Sequence, residues 1–132
     1  MINLFGWLGK DTGSRTKSTV SQQTVTSIQQ EWINIKTLVA GKSPSQLRQA
    51  IISADKTLDN ALRDIVEGET MGERLKNAKD KFPSWEVYDK VWKAHKIRNN
   101  IVHESGYEPP YFVVQEAVES LRQGLAALRI YV

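Results

Sequence analysis

The sequence contains no cysteine, which excludes disulfides, thiolate metal ligands and a cysteine nucleophile. Only two histidines are present, His95 and His103, so a three-histidine centre cannot form within one chain. No stretch approaches the ~20 apolar residues of a membrane-spanning helix. The opening MINLFGWLGK is too short to cross a bilayer and has no basic run ahead of it. A secretory signal is therefore not expected, and a soluble cytoplasmic protein is. A strong excess of one charge is missing too: 18 Lys and Arg against 15 Asp and Glu leave a formal +3. That permits an anionic partner but falls well short of a dedicated duplex-binding domain. A glycine-rich phosphate loop is also absent.

The 132 residues suit one domain, long enough to bury about two-thirds of the surface its unfolded chain exposes. Residues 10–19, KDTGSRTKST, read as a polar linker. The expected division is a flexible or docking segment at 1–17 and a folded domain at 18–132. The apolar residues 1–8 can dock on the domain, on a partner or on a membrane surface.

Apolar residues recur at steps of three and four through most of the domain. A first helix is expected from Thr19 to Ala40, with Val25, Ile28, Trp32, Ile35 and Val39 on one face and Gly41 as a stop. Ser43 caps a second helix with Pro44 at its first position, and Leu47, Ile51, Ala54, Leu58, Ala61 and Ile65 form its stripe. Thr70 caps a short helix before Pro83, and Ser84 caps a long one reaching toward Gly106. The last runs from about Pro110 to Arg129. Phe112-Val113-Val114 is the one strand-like patch, and its surroundings keep the helical period. These elements predict an all-α fold, an up-and-down four-helix bundle with an additional short helix.

The long fourth helix is apolar on two sides. Trp85, Tyr88, Trp92, His95, Asn99 and Val102 form the expected core stripe, while Val87, Val91, Ala94, Ile97 and Ile101 trail around a second face. Such a helix is either central in its bundle or also covers a second subunit. The second option makes Val91, Ala94, Ile97 and Ile101 a candidate homodimer interface.

Candidate chemistry is concentrated in Arg98-Asn99-Asn100-Ile101-Val102-His103. The basic excess gathers around it, with eight Lys or Arg against five acidic residues between Gly72 and Glu104. Asn99 and His103 share a helix face, whereas Arg98 and His103 are not stacked. These residue types suit metal-free cleavage of an RNA phosphodiester. The substrate's 2′-hydroxyl is the nucleophile, a histidine moves protons near neutral pH, and an arginine fork faces the phosphoryl oxygens. Asn99 can orient His103 or bind a phosphate oxygen. Lys96, Asn100, Glu104 and Glu73 are further candidates for substrate contact. No metal site and no cofactor are expected from this residue set. An Arg, an Asn and a His at a helix C-terminus also serve as caps, and that alternative stays open. His95, on the core stripe, reads as a buried hydrogen-bonded residue rather than a catalyst.

Arg98-Asn99-Asn100-Ile101-Val102-His103, followed by Glu104 and Gly106, resembles the motif of the HEPN superfamily: an Arg, a polar residue, three more and a His. Its place at the end of a penultimate long helix, before a proline-marked turn and a final amphipathic helix, is similar as well. The likeness spans about residues 18–132. It implies a metal-independent endoribonuclease that leaves 2′,3′-cyclic phosphate and 5′-hydroxyl ends, as in toxins and antiviral defence systems. Arg98 would then bind phosphate, His103 would be the catalytic histidine and Asn99 its polar partner, with the site completed at a homodimer interface. RNA and a separate antitoxin or effector protein are the implied partners. Related bundles without activity serve as nucleotide-binding or protein-interaction modules. A scaffold role using the apolar N-terminus is the remaining alternative.

Overall fold

The computed structural model describes residues 19–132, and the expectations for 1–17 lie outside them. Among the described residues there are α1 (Gln22–Gly41), α2 (Pro44–Ile65), α3 (Met71–Asn77), α4 (Trp85–His103) and α5 (Tyr111–Ala127), with a 3-10 turn at Lys79–Lys81 and no strand. The protein is an all-α helical bundle. Phe112 and Val114 lie in the first turn of α5, so the strand-like patch is helical. No helix of the described residues is long and apolar enough to cross a membrane.

Local chemistry starts α2, α3 and α4 as expected, while α1 starts at Gln22 behind a Ser21 cap rather than at Thr19. Ser43 accepts from the Gln46 amide while the Gln46 side chain returns to the Ser43 N–H, and Pro44 follows in the first turn. Thr70 and Ser84 accept from the amides of Glu73 and Val87, each offsetting one of the unpaired donors of a helix start. The stop after α1 differs. The left-handed residue is Lys42, at φ 62°, and Gly41 is still helical. A side chain at 41 would meet the end of the Gln46 side chain, so a larger residue there would displace the group that closes the Ser43 capping box.

The central helix is α2, which packs against α1, α3, α4 and α5. Its Ile51, Leu58, Leu62 and Ile65 are fully buried, each contributing roughly 1.5–3 kcal/mol of burial. Trp32 on α1 donates from Nε1 to Thr57 Oγ1 at 2.9 Å, and that hydroxyl donates on to the Ala54 carbonyl at 2.7 Å.

On α4 the expected core stripe holds in its middle, where Tyr88 and His95 are buried, but not at its ends, and the second face is buried too. Val91, Ala94 and Ile101 are 0 %, 1 % and 4 % exposed, packed in the core where α4 meets α5 and α2. They are consumed within the subunit and are not available as a dimer interface; Ile97 is half-buried against the same core. Trp85 and Val102, expected in the core, are 66 % and 37 % exposed. The reason is steric: small and β-branched side chains let neighbouring helices close in, and α5 meets Val91 at a glycine, Gly124. The bulkier Tyr88–Trp92–His95 row is left to form the edge of the core, its rings meeting edge-on at 6.4 and 6.1 Å.

Candidate functional site

A cleft of about 780 Å³ opens between α2, the start of α3 and α4. From α4 it is lined by Trp92, His95, Lys96, Arg98, Asn99 and His103, and from α2 by Asp55, Lys56, Asp59 and Arg63. The structure thus brings together Arg98, Asn99, His103 and Lys96. Three other candidates stand apart from it. Glu73 accepts the Glu69 amide at 2.8 Å, so its carboxylate is occupied at the start of α3. Asn100 and Glu104 do not line the cleft; they close the last turn of α4, the Glu104 amide donating to the Asn100 carbonyl at 2.9 Å. That turn is held from outside by Arg48, whose Nη1 donates to the Ile101 carbonyl at 2.8 Å.

The residue that sequence reading missed is Asp55. Its carboxylate is buried, with both oxygens 3.1 Å from His95 Nδ1. Arg98 reaches the same carboxylate, Nε lying 3.5 Å from Oδ2. That Nε is buried and has no hydrogen-bond partner, so the contact is an ion pair without a hydrogen bond. Arg98 Nη1 donates to Asn99 Oδ1 at 2.9 Å, and Asn99 Nδ2 stands 3.5 Å from His95 Nε2. Asn99 therefore spans His95 and Arg98 and makes no hydrogen bond to His103. Burial pushes the Asp55 carboxyl above its ordinary range, opposed by the hydrogen bond with His95 and by the charges of His95 and Arg98. A signal for Asp55 did exist: it is a lone carboxylate on the buried stripe between Ile51 and Leu58.

His95 is the buried, hydrogen-bonded histidine that was expected, 8 % exposed. His103 is exposed at the cleft mouth. Asp59 is engaged by Arg74, which donates from Nε at 2.7 Å and Nη2 at 3.0 Å, and by Arg63 at 3.4 Å. Lys56 and Lys96 have no ion pair among the described residues, which leaves the cleft open to an anion. Among the described residues no three His, Asp or Glu side chains are grouped as metal ligands. A second groove, of about 490 Å³ beside Lys42, Arg48 and Tyr111, contains neither histidine. Compared with models of known protein families, with curated proteins and with solved structures, the chain matches none.

Proposed function

We propose that the cleft between α2 and α4 is the active site of a metal-independent endoribonuclease of the HEPN type, acting on single-stranded RNA. The observation that carries this reading is that Arg98 and His103, unstacked on one helix, both line a single cleft with the cations Lys56 and Lys96. The RNA 2′-oxygen attacks the adjacent phosphorus and the bond to the 5′-oxygen breaks, leaving a 2′,3′-cyclic phosphate and a 5′-hydroxyl. His103 takes the 2′-hydroxyl proton, and solvent returns one to the departing 5′-oxygen. Arg98 faces the phosphoryl oxygens as their charge builds. Lys56 and Lys96 hold neighbouring phosphates. On this reading the bundle is a HEPN-like four-helix bundle with α3 as the additional short helix.

The test is cleavage of single-stranded RNA in EDTA, with end analysis of the products. Arg98→Ala and His103→Ala should each abolish it while the helical circular-dichroism signal persists. A requirement for divalent metal, or activity surviving in His103→Ala, would overturn the assignment. One observation favours a second, non-catalytic reading: Arg98 is already held by Asn99 and Asp55. A folded protein inert on varied RNAs but retaining a nucleotide would support it. A homodimer belongs to the first reading, and its contact then falls on exposed residues of α4 such as Val102. Val102→Asp should leave a folded chain that sediments as a monomer, whereas unchanged sedimentation as a dimer would place the contact elsewhere.

A further inference from the structure

The donors and acceptors around Arg98 have only one consistent arrangement. Arginine has donors alone, so the Asn99 atom 2.9 Å from its Nη1 must be the amide oxygen. The amide nitrogen then points at His95 Nε2, 3.5 Å away. A donor there requires a lone pair on Nε2. A neutral imidazole with a bare Nε2 carries its proton on Nδ1, and Nδ1 faces the two acceptor oxygens of Asp55, each at 3.1 Å. Each link dictates the next across a buried wall of the cleft.

Resting on the ribonuclease reading, the geometry points to Asp55 and His95 as positioning residues that act through Asn99 to hold the Arg98 guanidinium toward a substrate phosphate. Asp55 selects the His95 tautomer, His95 selects the orientation of the Asn99 amide, and Asn99 fixes Nη1. The remaining guanidinium donors are left for the phosphoryl oxygens. Protonation of His95 opposes this. A proton on Nε2 would face the Asn99 amide nitrogen, donor against donor. Turning the amide over would satisfy His95 and set the same clash against Arg98. A doubly protonated His95 and a held Arg98 therefore exclude one another. The charged groups along this wall are Asp55, Lys56, Asp59 and Arg63 from α2, and Lys96, Arg98 and His103 from α4 itself. The α3 side contributes only the uncharged Thr70, Met71 and Gly72. Burial of Asp55, which raises its carboxyl, keeps water from competing for these bonds.

The experiment reads the His95 ring directly, by long-range proton–nitrogen correlation on the full chain at neutral pH. Wild type should show a protonated Nδ1 and a bare Nε2. Asn99→Asp places an acceptor opposite Nε2 and should yield a doubly protonated ring. Asp55→Asn, nearly isosteric, should lower kcat on single-stranded RNA roughly tenfold or more, with KM little changed and the acid limb of the pH profile displaced. A proton on Nε2 in wild type, a singly protonated ring in Asn99→Asp, or a folded Asp55→Asn with wild-type kcat and pH profile would each overturn the proposal. If wild type cleaves no RNA, the ribonuclease reading fails, and the His95 ring states of wild type and Asn99→Asp still decide the chain of contacts.

Discussion

Gly124 lies where α5 crosses α4 and α2. An alanine Cβ at that position would sit 2.8 Å from Val91 Cγ2 and 3.2 Å from Leu58 Cδ2. Attractive carbon contacts lie at about 3.5–4.0 Å, so Val91 would have to retreat by most of an ångström. A valine inside a helix has essentially one rotamer, and the movement must come from the helices. Overpacking of this kind costs about 1–3 kcal/mol, and the absence of rotamer relief places Gly124→Ala near the top of that range. Replacing a mid-helix glycine by alanine returns about 1 kcal/mol of helix propensity. The net expectation is a loss of about 1–2 kcal/mol, a fall in Tm of roughly 4–10 °C for a domain of this size. Urea unfolding followed by circular dichroism measures it. Val91→Ala opens room for the new methyl, so the double mutant should be more stable than the summed single losses by about 1 kcal/mol or more. A Gly124→Ala protein as stable as wild type, or strict additivity with Val91→Ala, would refute the reasoning. The crossing also bears on the site: Leu58 is one turn after Asp55 and Val91 one turn before His95, so it sets the separation of the two helices that hold that pair.

Three further outcomes follow from the same structure. Arg74→Ala removes the bidentate partner of Asp59 and the 2.6 Å hydrogen bond to the Gly68 carbonyl; the pair is part-buried and Arg63 still reaches Asp59, so the cost should fall below the about 3–5 kcal/mol of a fully buried pair, and a loss under about 1 kcal/mol on urea unfolding would contradict this. The folded chain holds the Asp55 proton to higher pH than the unfolded chain, whose value is near 3.8. The stability from this group is therefore fully present below that pH and is lost as pH rises through the folded pKa. Urea unfolding across a pH series should show wild type losing stability relative to Asp55→Asn over this window, and the opposite slope would show the sign to be wrong. Arg48→Met keeps the stem but removes the hydrogen bond to the Ile101 carbonyl; it should cost roughly 1 kcal/mol and speed hydrogen exchange in the turn that carries His103.

Helix existence and most helix starts were legible because they depend on residues within four positions of one another. Ser43 with Pro44 and Gln46, Thr70 before Met71, and Ser84 before Trp85 carry their caps locally. The Arg98–His103 segment was legible for the same reason, as was its place at the end of a long helix. The direction in which α4 presents its two apolar sides was not. A helix wheel identifies Val91, Ala94 and Ile101 as a face but cannot say that Gly124 and α2 will close over it, because burial depends on the shape of a neighbour as well as on the helix itself. Asp55 and His95 are 40 residues apart, and no local period links them. The sequence by itself determined the helices and the order of chemical groups along α4. Only the tertiary structure decided which side of α4 is core, and that a buried carboxylate from α2 meets His95 and Arg98, since that pairing exists only once α2 and α4 are packed.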